Sequence, residues 1–300
     1  MNPTLPFNPA LAELPGPNIL LMGDAGTGKT RSLGTLVDAG IEVFVVSIEQ
    51  GLEALIGYWT DPSPQYPQGR PIPDNLHWHK ITPPKASFRE LAETAFKVNT
   101  MSYESLGKVP DVNRHLHNLF IKVNEAFFDF CDDRTGKKYG DVSSWGPDRA
   151  IVVDGLTGLS RAAMSLTVGG KPIRNPGDYG IAQGQLEGFL RLICDHCTCW
   201  FVLIAHVEKE VDQVVGGTKI TVATIGKALP PVIPPMFSDV IYCTREGTRW
   251  TWNTSTTGVA TKARNLPWAE NMAPDFKPIY DRWASRASRI ESPPVVDKLT

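Results

Sequence analysis

An α/β fold, with a mostly parallel central sheet flanked by helices and a C-terminal antiparallel extension, is predicted by three observations. Short runs rich in Val and Ile, at 18–22, 41–48, 150–153 and 200–204, are apolar almost without interruption, as strands buried on both faces of a sheet are. Helix-compatible stretches alternate with them, and alternating β and α segments favour a doubly wound sheet. After residue 204 the pattern turns to β, with candidate strands at 219–224, 239–244, 250–253 and 259–263.

A chain of 300 residues, 42% of them hydrophobic, can bury a sizeable core in one large domain. The expected organisation is a Pro-rich segment at 1–15, one core at 16–285 with insertions at about 58–84 and 100–147, and a tail at 286–300. Pro3, Pro6, Pro9, Pro15 and Pro17 crowd the start, which has neither a cationic opening nor a long apolar run. Neither a signal peptide nor a membrane span is expected there, so the expectation is a soluble, cytoplasmic protein with no membrane partner.

A formal net charge of −2 excludes a generic polycation, so any nucleic-acid contact must come from local basic loops. Five cysteines, an odd number, favour reduced thiols. Cys194, Cys197 and Cys199 with His196 have spacing like a metal cluster. A helix at 179–196 running into the strand at 200–204 would point them in divergent directions, so buried free thiols are expected and zinc is the alternative.

The elements follow in order. The strand at 18–22 runs into Gly23, Asp24, Ala25, Gly26, Thr27, Gly28, Lys29 and Thr30, which fit G-x-x-x-x-G-K-[ST], and a helical stretch at 32–38 follows. Glycines let consecutive backbone N–H groups turn toward phosphate oxygens, and the helix adds its positive N-terminal end. Lys29 then supplies a charge toward the β- and γ-phosphates and Thr30 a hydroxyl for Mg²⁺, so ATP with Mg²⁺ is the expected ligand pair. The strand at 41–48 ends in Glu49, a candidate base for the attacking water. The Pro-dense stretch at 58–84 and the long separation at 100–147 read as surface elaborations. Within or between them lie a helix at 87–99, with Ser87 and Glu90 spaced as a capping box, and one at 112–130. In the latter, Val112, Leu116, Leu119, Val123, Phe127 and Phe130 form one apolar face directed to the core.

The strand at 150–153 ends in Asp154, followed by Gly155, which sets a carboxylate where it can hold a magnesium-bound water together with Thr30. The strand at 200–205 ends in His206, a polar group placed to touch the γ-phosphate. Glu246 and Gly247 mark a hairpin turn in the β-rich end.

This order of motifs resembles the ATPase core of RecA-type recombinases and replicative helicases, over roughly residues 16–280 apart from the insertions. Asp178-Tyr179-Gly180 before a helix, and the Ala205-His206 strand end, look like the phage nucleotide-binding proteins that act as RecA-like single-strand annealing proteins. The resemblance implies that Lys262 and Arg264, before Asn265-Leu266-Pro267, reach a neighbouring subunit's γ-phosphate. It also places DNA-contacting loops at 167–177 and 207–218, with Lys171, Arg174, Lys209 and Lys219 as the cations for phosphates. Glu208, Glu210 and Asp212 share the second loop, and neither loop carries an aromatic for base stacking, so DNA binding rests on the resemblance.

The implied protein is a DNA-stimulated ATPase of phage recombination in the bacterial cytosol. It assembles as a ring or filament on single-stranded DNA, promotes annealing or strand pairing, and has a single-strand-binding protein as a further partner. The alternatives are a DNA motor or helicase loader on the same core, a small-molecule phosphotransferase, and a nucleotide-gated scaffold.

Overall fold

The computed structural model describes residues 14–83, 87–109, 116–211 and 217–290. In chain order its elements are β1 (Asn18–Gly23), α1 (Lys29–Asp38), β2 (Glu42–Ser47), α2 (Leu52–Thr60), β3 (Leu76–Lys80), α3 (Phe88–Thr100), α4 (Tyr103–Gly107), α5 (Leu119–Phe128), β4 (Phe130–Cys131) and β5 (Lys138–Gly140). There follow β6 (Arg149–Asp154), α6 (Leu156–Val168), α7 (Pro176–His196), β7 (Trp200–Ala205), β8 (Val207–Val211), β9 (Thr218–Val222), α8 (Ile233–Met236), β10 (Asp239–Glu246), β11 (Arg249–Asn253) and α9 (Lys277–Ile290).

The main sheet has seven strands in the order β11-β10-β1-β7-β6-β2-β3, all parallel except β11, which pairs antiparallel with β10. The α/β expectation therefore holds, with the antiparallel element at the C-terminal side. Its core is double because strand side chains alternate between faces. Leu20, Phe44, Ile151 and Leu203 enter one apolar layer with α5, α6 and α7. Ile19, Val43, Val152 and Val202 enter the other with α1, α2 and α9. Each such side chain contributes roughly 1.5–3 kcal/mol on burial, which is why these strands read as continuous apolar runs.

The helix at 87–99 is α3, and its capping box is present: Glu90 N–H donates to Ser87 Oγ at 3.1 Å, and Ser87 N–H donates to Glu90 Oε2 at 2.8 Å. Several boundaries differ from the sequence reading. Within 112–130 the helix α5 starts only at Leu119. Val123 and Phe127 are buried as expected, but Leu116 is exposed and Phe130 belongs to β4. Positions 112–115 of that stripe lie outside the described residues. The segment 100–147 is more than a surface elaboration, since Phe120, Val123 and Phe127 fill the core under α6 and α7.

The stretch 58–84 likewise supplies β3, an edge strand of the main sheet, whose single buried aliphatic, Leu76, left no apolar run to read. Its open edge is closed by Asp132 and Asp133. Trp78 N–H donates to Asp132 Oδ1 at 3.2 Å, Lys80 N–H to Asp133 Oδ2 at 2.7 Å, and Asp133 N–H to Trp78 O at 2.8 Å. Edge groups satisfied in this way offer no template for a further strand.

Residues 259–263 form isolated bridges, Val259 with Ile220 and Lys262 with Val240, and not a strand. β8 and β9 make a separate hairpin. The boundary expected at 286 falls inside α9, whose Ile279, Trp283 and Ala287 recur at every fourth residue and are buried. The positions 291–300 of the expected tail, and 1–13 of the Pro-rich segment, lie outside the described residues. No helix among the described residues is long and apolar enough to cross a membrane.

Candidate active site

Parallel strands release their following loops at one edge of the sheet, and ligands gather there. At that edge β1, β2, β6 and β7 deliver the loop 23–30, Glu49, Asp154 and His206 to one cleft of about 330 Å³. In the loop, Gly26 and Gly28 have φ of +75° and +77°, a region that side chains with a Cβ rarely adopt. This bend turns the chain directly into α1, which begins at Lys29.

Lys29 is 6% exposed. Its Nζ donates to Gly23 O at 2.9 Å and Asp24 O at 2.8 Å, with Thr27 Oγ1 at 3.3 Å. Burial holds this ammonium below the ordinary lysine pKa, while Cys243, Asp154, Asp24 and Glu49 pull it back up. Thr30 Oγ1 donates to Asp154 Oδ2 at 3.1 Å, joining the loop to the end of β6. Asp154 is buried, and desolvation pushes its carboxyl up to about 6, with Glu49 adding to the shift and Thr30 and Lys29 opposing it. Gly51 keeps this corner open, because a Cβ there would lie 2.5 Å from Asp154 Oδ2 and 3.2 Å from Thr30 Oγ1.

Glu49 is held by both oxygens. Gly158 N–H, in the first turn of α6, donates to Oε1 at 2.8 Å, and His206 Nε2 meets Oε2 at 3.2 Å. Gly155, at φ +120°, lets the chain pass beneath it, since a Cβ there would lie 2.7 Å from Glu49 Cγ. The structure thus brings Lys29, Thr30, Glu49, Asp154 and His206 together.

The other predicted residues lie elsewhere or have partners in their own chain. Lys262 Nζ donates to Phe237 O at 2.7 Å and Pro235 O at 3.3 Å, and Arg264 N–H donates to Asp239 Oδ1 at 2.9 Å. Both residues flank the first residues of β10, opposite the start of β1, whereas the glycine loop leaves its far end opposite Cys243. The Arg264 side chain is exposed. Lys171 pairs with Asp178 at 3.2 Å, and Arg174 is exposed in the same connection. On the β8–β9 hairpin Lys219 is exposed, and Lys209 reaches back to Asp24 Oδ2 at 2.7 Å, binding the hairpin to the glycine loop.

The opposite flank of the cleft is built by residues that belong to no sequence motif. Trp250 Nε1 donates to Gly26 O at 3.1 Å, and the Arg31 guanidinium carbon lies 6.0 Å from the Trp250 ring centroid. Arg245, paired across the hairpin with Trp250, comes 3.8 Å from where a Cβ on Gly26 would sit. The turn at Glu246 and Gly247 was the available signal: it sets Arg245 and Trp250 side by side on one face.

Cys194 and Cys197 are partly buried and Cys199 fully so, as free thiols. Among the described residues no group of three or more ligand-type side chains is arranged to hold a metal ion. The hydroxyl and carboxylate of Thr30 and Asp154 do suit a hard cation such as Mg²⁺ in company with phosphate oxygens, and the glycine loop with Lys29 suits the phosphates themselves.

No family model and no curated protein matches the chain. Among the solved structures that match is a prototypical ATPase from the type III secretion system of pathogenic bacteria, at 13% identity and a TM-score of 0.36, covering 79% of this chain and 55% of that one. The chain thus spans about half the length of that neighbour.

Proposed function

We propose that this chain is a RecA-like ATPase that binds ATP with Mg²⁺, hydrolyses it, and works as an oligomer on single-stranded DNA in phage recombination, promoting annealing or strand pairing. The observation that carries the nucleotide reading is the convergence of Lys29, Thr30, Glu49, Asp154 and His206 on one cleft behind a glycine loop. In this reading the loop N–H groups and Lys29 hold the β- and γ-phosphates. Thr30 and Asp154 hold Mg²⁺, which supplies positive charge to the phosphate oxygens.

Glu49, its Oε1 fixed by Gly158 N–H, orients a water and takes its proton at Oε2 as the water oxygen bonds to the γ-phosphorus and ADP leaves. His206, already on Oε2, senses that exchange and passes it to the β8–β9 hairpin that follows it directly. The DNA and assembly parts draw support from two features. The exposed Lys219 and the Asp24-bound Lys209 sit on that hairpin, and the exposed Arg264 lies at the strand end away from its own loop, free to serve a neighbour's cleft. Head-to-tail assembly follows from a cleft completed in trans.

The test is ATP turnover with and without single-stranded DNA over a range of protein concentrations, for the native chain and Arg264→Ala. Cooperative, DNA-stimulated turnover that Arg264→Ala loses is the expected result. Turnover indifferent to DNA and concentration would overturn the recombination reading and favour a phosphotransferase.

A further inference from the structure

The two flanks of the cleft differ in chemistry. Glu49, Gln50 and Asp154 line one of them, and the β10–β11 hairpin brings Trp250 to the other. Trp250 and Trp252, two residues apart, share one face of β11 but serve different ends. Trp252 is fully buried and packs edge-on against Phe276 at 5.0 Å, whereas Trp250 keeps 36% of its surface exposed and, among the described residues, stacks on no other aromatic ring.

Its only polar atom is committed to the loop carbonyl of Gly26, and Gly28 passes so close that a Cβ there would lie 3.0 Å from Trp250 Cγ. The ring is therefore fixed by the loop that would hold the phosphates, with exposed indole surface and, nearby, the Arg31 guanidinium, which is held in place by Asp61 at 2.9 Å. A fixed, exposed π surface with a cation beside it is what a planar heterocycle stacks on.

Resting on the nucleotide reading above, we propose that Trp250 is the seat of the nucleobase, which stacks on the exposed indole surface with Arg31 alongside. The base is recognised by its face. Among the residues that line the cleft, the amide and carboxylate side chains that could read a base edge, Gln50, Glu49 and Asp154, lie on the opposite flank, the Asp61 carboxylate outside that lining is taken up by the Arg31 guanidinium at 2.9 Å, and every base has a π face. ATP and GTP consequently bind with similar affinity, and purines bind ahead of pyrimidines because their rings cover more of the indole.

The experiment is equilibrium binding of Mg-ATP, Mg-GTP and Mg-tripolyphosphate to the native chain, Trp250→Ala and Trp250→Phe. Trp250→Ala should weaken ATP and GTP alike by about 5- to 150-fold, Trp250→Phe should retain most of the affinity, and tripolyphosphate should bind all three proteins equally. Tripolyphosphate binding also reports that each variant keeps a folded loop. Native-like ATP binding by Trp250→Ala, with tripolyphosphate still bound, removes the seat and leaves the nucleotide reading standing. An equal loss of tripolyphosphate overturns the proposal by showing that the ring only props the loop, and a preference of more than about 100-fold between ATP and GTP overturns recognition by stacking. A native chain that binds neither ATP nor tripolyphosphate removes the nucleotide reading and the seat together.

Discussion

Glu49 Oε2 and His206 Nε2 meet at 3.2 Å although their strands, β2 and β7, are not neighbours: β6 runs between them and ends in Asp154. The pair therefore closes over the end of the intervening strand, and Gly158 N–H holds the carboxylate from a third side. Glu49→Gln keeps the shape and both neighbours but cannot take a proton. It should bind ATP as the native chain does while kcat falls by about 10²- to 10⁴-fold. Equal loss of binding and turnover would remove Glu49 from the role of base. His206→Ala frees one oxygen and leaves the Gly158 contact, so kcat should fall by about 10²-fold through misplacement, with nucleotide affinity retained.

Gly51→Ala tests the corner between Thr30 and Asp154. The added methyl would lie 2.5 Å from Asp154 Oδ2, so the carboxylate must move away from Thr30. Magnesium-dependent nucleotide affinity should drop by about tenfold or more, the equivalent of one charge-assisted hydrogen bond. Calorimetric titration with and without Mg²⁺ checks it: an affinity deficit of the same size without Mg²⁺ would place the damage elsewhere.

The raised pKa of Asp154, from 3.8 to about 6, makes stability depend on pH. Between these values the folded chain binds more protons at this position than the unfolded chain, so stability falls as pH rises through the window and is flat above it. In the absence of nucleotide and Mg²⁺, Asp154→Asn removes that penalty. Its melting temperature should exceed that of the native chain by several degrees more at pH 8 than at pH 4, for a difference of roughly 3 kcal/mol. Parallel pH profiles for the two proteins would contradict the assignment.

Asp132 anchors the edge of the sheet. Fully buried, it accepts from Trp78 N–H, Arg134 N–H and the Thr135 hydroxyl, and lies 3.2 Å from His77 Nδ1. Asp132→Ala orphans these groups and should cost about 2–4 kcal/mol in urea denaturation, with the loss falling on β3 and the β4–β5 hairpin in hydrogen exchange. Protection changes centred on β1 or β7 would show a different failure.

What could be read from the sequence had local causes. The glycine loop, the capping box at Ser87 and Glu90, and the buried strands each announce themselves through residues adjacent in the chain. For the same reason Glu49, Asp154 and His206 were legible as polar residues ending apolar runs. β3 and α9 were not legible, because β3 has one buried aliphatic and α9 scatters its buried Ile279, Trp283 and Ala287 among charges.

The alternating β and α pattern, the glycine loop, and the identity of the residues at strand ends were settled locally, since they depend on periodicity and backbone freedom over a few residues. The order of the strands was settled by the packing of the whole chain. That order sets β6 between β2 and β7, lets Glu49 reach His206, swings Trp250 against Gly26, and leaves Lys262 and Arg264 at the opposite strand end. Which distant segments meet depends on how two faces of one sheet are covered and in what register its strands pair, and those are properties of the whole packed chain.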